Sequence, residues 1–145
     1  KLSEAPVLQA LEHLKQGPYE IWAKLDAGSQ AWFERVDGSG IPLRQIVRNI
    51  ATAGQRFQLT IQSLFPTVNG QGPGDDEVGA YIGRLKDILS AGAKLKLIQV
   101  YTTARKPADA SVGVLPDARL DEIARRVRQE VPVPVESFYG RHWDE

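Results

Sequence analysis

Helix-like and strand-like runs alternate along this chain, and no other feature restricts its fold as much. Three β-like stretches carry the pattern: Glu20-Ile21-Trp22-Ala23-Lys24-Leu25-Asp26-Ala27-Gly28, then residues 57–65, then residues 95–102. Each follows a stretch with apolar residues at helical spacing, and each carries polar groups toward its end. Strict alternation of this kind predicts an α/β fold, with a parallel sheet joined by crossover helices. Strand positions that are apolar in succession (Leu97, Ile98) suit strands covered on both faces.

The boundaries follow from local signals. Ser3, Pro6 and the spacing of Val7, Leu8, Leu11 and Leu14 predict a first helix, stopped by Gly17-Pro18. A strand is expected over residues 19–27. Ser29 then caps a short helix through Trp32, Phe33 and Val36, and residues 37–40 form a loop. A second long helix starts near Pro42, turns Leu43, Ile46, Val47 and Ile50 inward, and stops at Gly54. Residues 67–74 read as a flexible connection, rich in Gly, Asn and Pro and longer than usual. Their glycines lack the Gly-Lys-Ser/Thr ending of a P-loop and the spacing of a dinucleotide fingerprint. Asp75 or Asp76 is expected to cap the third long helix, with Val78, Ile82, Leu85, Ile88 and Leu89 inward and Ala91-Gly92 at its end. Asp117 is expected to cap the last helix, with Leu120, Ile123, Ala124 and Val127 inward. Pro132 and Pro134 restrict residues 131–140 to an edge strand or an extended tail.

Composition narrows the function. The 145 residues make one ordinary domain, with 18 basic residues against 18 acidic ones. No net field draws such a chain to nucleic acid or to anionic lipid. There is no cysteine, which removes disulfides, thiolate metal sites and cysteine nucleophiles from this chain. His13 and His142 have no second ligand at metal spacing, so no metal site is expected. No apolar run approaches the ~18 residues of a membrane span, and no signal-peptide core follows Lys1. We expect a cytoplasmic protein. Methionine is absent even at position 1, which predicts a trimmed product or an internal segment of a longer protein.

In parallel sheets and barrels, ligands sit beyond the carboxyl ends of the strands. That rule gathers Lys24 and Asp26, Gln62 and Ser63, and Gln99 and Tyr101 near one rim, with Arg105 in the adjoining loop. Lys24 and Asp26 are two apart on a strand and point to the same side. They form either a polar ligand site or a mutual ion pair. Gln62 and Gln99 hold matching places in successive strands, where they bind a ligand or each other. Tyr101 and Arg105 could stack or hold an anion, and a solvated Arg105 is the plainer alternative. Arg125, Arg126 and Arg128 stand beside Glu122 and Glu130 as a solvated face. No serine, histidine and aspartate stand in an arrangement suited to nucleophilic catalysis.

Glu20 to Gly28, then Thr60-Ile61-Gln62-Ser63-Leu64-Phe65, then Ile98-Gln99-Val100-Tyr101-Thr102-Thr103-Ala104-Arg105-Lys106-Pro107, in that order, resemble the radical S-adenosylmethionine superfamily. They look like the carboxyl-terminal half of its core, in a bacterial group often labelled Fe–S oxidoreductase. Val133-Pro134-Val135-Glu136 followed by Tyr139-Gly140 is similar to the same group. The resemblance covers nearly the whole chain and implies a half or partial (β/α) barrel. It implies a parent enzyme that uses S-adenosylmethionine and a reduced [4Fe–4S] cluster to make a 5′-deoxyadenosyl radical, which takes hydrogen from a substrate.

The chain departs from that family in one decisive respect. The family holds its cluster with three cysteines in a CxxxCxxC loop after the first strand, and this sequence has none. The resemblance therefore implies that residues 1–145 are a single α/β domain from a larger core, binding no cluster alone. The missing amino-terminal half of the barrel would be its partner. Carried over by resemblance, Lys24 and Asp26 would face the methionine or ribose groups of S-adenosylmethionine. Gln62 and Ser63 would lie near the nucleoside, and Gln99 and Tyr101 would line the adenine or substrate side. The rival expectation is a non-catalytic α/β binding module, or one that self-associates through an exposed sheet edge. A small enzyme that needs no cluster is a third reading, but it would need a complete acid–base or nucleophile set.

Overall fold

The computed structural model describes residues 20–37, 40–103 and 112–140. The expected first helix, His13, Arg105, Lys106, Pro107 and His142 lie outside them. Within them the chain runs β1 (Trp22–Lys24), α1 (Gln30–Val36), α2 (Leu43–Arg56), β2 (Gln58–Leu64), β3 (Thr67–Val68), α3 (Asp75–Ser90), β4 (Lys94–Tyr101), β5 (Val112–Gly113), α4 (Asp117–Glu130) and β6 (Val135–Phe138). Strands β1, β2, β4 and β6 form one sheet in that order, with every neighbouring pair parallel. The fold is α/β, as the alternation predicts.

One face of the sheet carries the core. Ile21, Ala23, Leu25, Leu59, Ile61, Ile98, Val100 and Val135 join Ile50, Ala53, Val78, Ile82, Leu85, Ile88, Leu120, Ile123 and Val127 in one buried cluster. The apolar stripes of α2, α3 and α4 are thus spent on this face, because a helix buries only the side on which its apolar residues recur. The other face carries Trp22, Lys24, Gln62, Leu64, Leu97, Gln99, Tyr101, Glu136 and Phe138, all exposed or half-buried. A bulge in β4 sorts the leucines. Leu59 pairs with Leu95 but Thr60 pairs with Leu97, so Lys96 is the extra residue. Leu95 therefore packs against the core and Leu97 does not, although their spacing alone would put them on one face.

Several local expectations are corrected. Gly54 does not stop α2, which continues to Arg56. A Cβ at Gly54 would stand 2.5 Å from that of Ala93, so glycine is there for close approach. Asp75, Asp76 and Asp117 do not cap their helices. Gly74 and Pro116 hold the cap positions, and the acids sit in the first turns, facing the positive ends of the helix dipoles. Residues 67–74 are not merely a flexible connection. Thr67–Val68 pairs with Val112–Gly113 as a small antiparallel ribbon. Asn69 and Gly70 both take positive φ between Val68 and Gln71, which exchange two backbone hydrogen bonds. An Asn-Gly pair supplies that turn at little conformational cost. Ser29 does cap α1, as expected, accepting from the Trp32 N–H at 3.3 Å.

Arg126 and Arg128 are not simply solvated. Arg126 donates to the Asp75 carbonyl at 3.1 Å, and Arg128 to the Val135 carbonyl at 2.8 Å. They brace α4 against the start of α3 and against β6.

Candidate functional site

Register assembles the site on the face turned away from the helices. Lys24 is paired with Gln62, Gln62 with Gln99, and Gln99 with Glu136, so four polar side chains cross four strands in one row. Residues paired in this way share a face. The Gln62 amide donates to the Gln99 Oε1 at 3.1 Å, and the Gln99 amide donates to the Glu136 Oε1 at 3.3 Å. Toward the carboxyl rim stand Asp26, Leu64, Tyr101 and Phe138. Leu64, Tyr101 and Phe138 occupy the second row in register.

Asp26 anchors the row at the β1 end. Its Oδ1 accepts from the Leu64 N–H at 2.8 Å, and its Oδ2 lies 3.4 Å from the Lys24 ammonium. The Asp26 side chain is 11% exposed and that of Lys24 58%. Burial pushes the Asp26 carboxyl up, the Leu64 N–H and Lys24 pull it back, and it stays above its ordinary value. Burial works to lower Lys24, but Asp26 and the Tyr101 hydroxyl outweigh it, so the ammonium is held above its ordinary value. The site therefore presents a persistent cation over a carboxylate whose charge is costly to keep.

Beside the two glutamines lies a groove of about 380 Å³, lined by Gln62, Gln99, Tyr101, Thr102, Phe138 and Tyr139. Phe138 and Tyr139 are each roughly half exposed. The arrangement offers amide donors and acceptors on the floor and aromatic rings on the wall. That chemistry suits a flat, polar ring with hydrogen-bonding edges.

Of the residues expected at the rim, Lys24, Asp26, Gln62, Gln99 and Tyr101 share this face. Ser63 does not. It is fully buried on the helix side, where its hydroxyl meets that of Tyr81 at 2.6 Å. The reason is strand parity: Leu59, Ile61, Ser63 and Phe65 are the inward residues of that run. Arg105 lies outside the described residues. Glu136, Phe138 and Tyr139 were not among the expected site residues. The alternation around Val133 and Val135 could have turned Glu136 outward, but only the β4–β6 register puts it beside Gln99. Both plainer readings are realised too: Lys24 pairs with Asp26, and the two glutamines pair with each other. Among the described residues no three His, Asp or Glu side chains gather as a metal site.

A solved structure shares this fold. The chain superposes on a radical SAM methyltransferase from Sphaerobacter thermophilus with a TM-score of 0.56 and 15% identity, over 94% of this chain and 39% of the other. The chain has a radical SAM-like fold. It spans well under half the length of that methyltransferase. No protein-family model matches the sequence, and no curated protein matches it. In this radical SAM-like sheet the strand ends of β1, β2 and β4 carry the polar row, while closure into a barrel is not seen among the described residues. No helix among them is long and apolar enough to cross a membrane.

Proposed function

We propose that this chain is part of a radical S-adenosylmethionine enzyme and supplies one wall of its S-adenosylmethionine site. The observation that carries the reading is the in-register row Lys24–Gln62–Gln99 with Asp26 and Tyr101 at its rim, on the face of a radical SAM-like sheet turned away from the described helices. The donor set fits the molecule in kind. An ammonium suits its carboxylate, a carboxylate suits its amine or ribose hydroxyls, and the glutamines with the groove aromatics suit its adenine. Arg105 remains proposed as an anion or substrate contact on the loop after β4.

The same test applied to an iron–sulfur cluster gives the opposite answer. Its irons are held by thiolates, and the 145 residues contain no cysteine. Cluster ligation in the proposed enzyme belongs to another part of the barrel, and that part is the proposed partner of this chain. Within the complete site, S-adenosylmethionine and the cluster would supply the radical chemistry. The residues described here would bind and orient the nucleoside and keep water from it.

Calorimetric titration of S-adenosylmethionine tests the wall, using the intact protein and its Lys24→Ala and Asp26→Ala variants. We expect each variant to lose about tenfold in affinity, the worth of one charge-assisted hydrogen bond. Unchanged affinity in both would remove these residues from the site.

A second reading draws on the sheet's outer strands. Neither β1 nor β6 has a neighbour on its outer side among the described residues, and Trp22 and Phe138 stand exposed there. An unpaired edge with apolar side chains favours self-association, which would make the chain a non-catalytic structural module. Light scattering at high concentration separates the readings, because a clean monomer counts against this one.

A further inference from the structure

We infer that Glu136 is a positioning residue that fixes the direction of the whole amide row, so that Gln62 presents its carbonyl oxygen, and not its amide nitrogen, to a ligand. A side-chain amide has a donor end and an acceptor end of nearly the same shape, and either end can face a neighbour. An ionised carboxylate only accepts. Glu136 at the end of the row therefore obliges Gln99 to turn its NH₂ outward, as in the 3.3 Å bond from Gln99 Nε2 to Glu136 Oε1. With its donor end committed, Gln99 can offer Gln62 only an oxygen. Gln62 answers with its own NH₂ at 3.1 Å. Its Oε1 is then the end left over.

The neighbours leave that oxygen available. Lys24 stands beside Gln62 in register, but its ammonium is drawn to Asp26 at 3.4 Å and to Tyr101. Gln62 Oε1 has no protein partner among the described residues. Gln62 also lines the groove while Glu136 does not, so Glu136 acts through one intervening side chain, Gln99. The ligand group that matches a lone carbonyl oxygen is a hydrogen-bond donor, such as an exocyclic amine or a protonated ring nitrogen. This ligand half of the inference rests on the nucleoside reading above. For an adenine ring the matching group is the 6-amino group. A ring with a carbonyl at that place would set two oxygens against each other.

Two measurements on the full chain test the relay, and one needs no ligand. In ¹⁵N-labelled protein, Glu136→Lys substitutes a donor for the acceptor and reverses both amides. The side-chain NH₂ signals of Gln62 and Gln99 should both move, although Gln62 does not touch residue 136. Glu136→Gln, which accepts or donates equally, should give broadened or doubled signals for both. Movement of Gln99 alone would overturn the relay.

For the second measurement, S-adenosylmethionine and its 6-oxo (inosine) analogue are titrated into wild type and Glu136→Lys. Wild type should prefer the amino compound by about fivefold, near the worth of one hydrogen bond. The Lys variant should lose or invert that preference, whereas a merely structural loss would weaken both compounds alike and overturn the ligand half. If the signals move but wild type binds neither compound, the nucleoside reading fails and the relay stands.

Discussion

Glu77, in the first turn of α3, accepts a hydrogen bond from the Gly28 backbone N–H at 2.5 Å. Its other oxygen takes the Ser29 hydroxyl, so one carboxylate holds the turn that follows Lys24 and Asp26. Ser29 in turn caps α1, and the acid sits where the α3 dipole favours negative charge. The clamp joins the end of β1 to the helix layer across nearly fifty residues of chain. Glu77→Ala should therefore cost about 2 kcal/mol, with the Gly28 N–H left unpaired. Glu77→Gln, which keeps one acceptor, should recover part of that loss. Urea unfolding with an unchanged m-value checks both, and equal stability of all three proteins would dissolve the clamp.

Gly28 itself touches α3 backbone to backbone. A Cβ there would fall 1.9 Å from the Tyr81 nitrogen and 2.2 Å from the Ala80 carbonyl carbon. Helix backbone cannot move aside as a side-chain tip can. We expect Gly28→Ala to cost at least about 3 kcal/mol, at the upper end of overpacking effects. A thermal midpoint close to that of wild type would show that α3 is not seated on this turn.

Ser63 and Tyr81 form a buried pair on the helix side of β2, their hydroxyls 2.6 Å apart. Burial pushes the Tyr81 hydroxyl well up, against a smaller pull from Ser63, so it stays protonated. Tyr81→Phe strands one hydroxyl and Ser63→Ala the other, each costing about 1–3 kcal/mol. The double variant should cost less than the sum, since no hydroxyl is then left unmatched. Affinity for S-adenosylmethionine should not change in Ser63→Ala. A selective loss there would return Ser63 to the site.

The pH dependence of stability follows from the raised Asp26 carboxyl. A group held above its unfolded value contributes stability below that value, near 3.8, and loses it as pH rises through the folded one. Asp26→Asn can keep an oxygen for the Leu64 N–H and removes the titration. Relative to wild type, the variant should gain stability as pH rises from about 3 into the neutral range. A difference constant across that window would mean that burial does not strain this carboxylate. Lys24, also raised, holds its contribution up to its ordinary value of 10.5 and loses it only above that.

Much of this arrangement was legible in the residues because the signals are local. The inward faces of α3 and α4 are set by which positions are apolar, and Val78, Ile82, Leu85, Leu120, Ile123 and Val127 are all buried as their spacing predicts. Parity within β2 separates Gln62 from Ser63, because Ser63 continues the inward alternation of Leu59, Ile61 and Phe65. The ribbon of β3 and β5 was harder to read, because two-residue strands carry no period.

Register is where the sequence stops. Nothing in residues 95–97 announces that Lys96 bulges and sends Leu95 and Leu97 to opposite faces; only the pairing with Leu59 and Thr60 decides it. Gly54 looked like a helix stop, because close approach to Ala93 is a property of two elements packed together. Glu136 looked like part of a tail until β6 lay down beside β4. Local spacing determined the elements and their inward faces, since periodicity is written along the chain. The row Lys24–Gln62–Gln99–Glu136 was decided only in three dimensions, because hydrogen-bond register between distant strands selects which side chains meet.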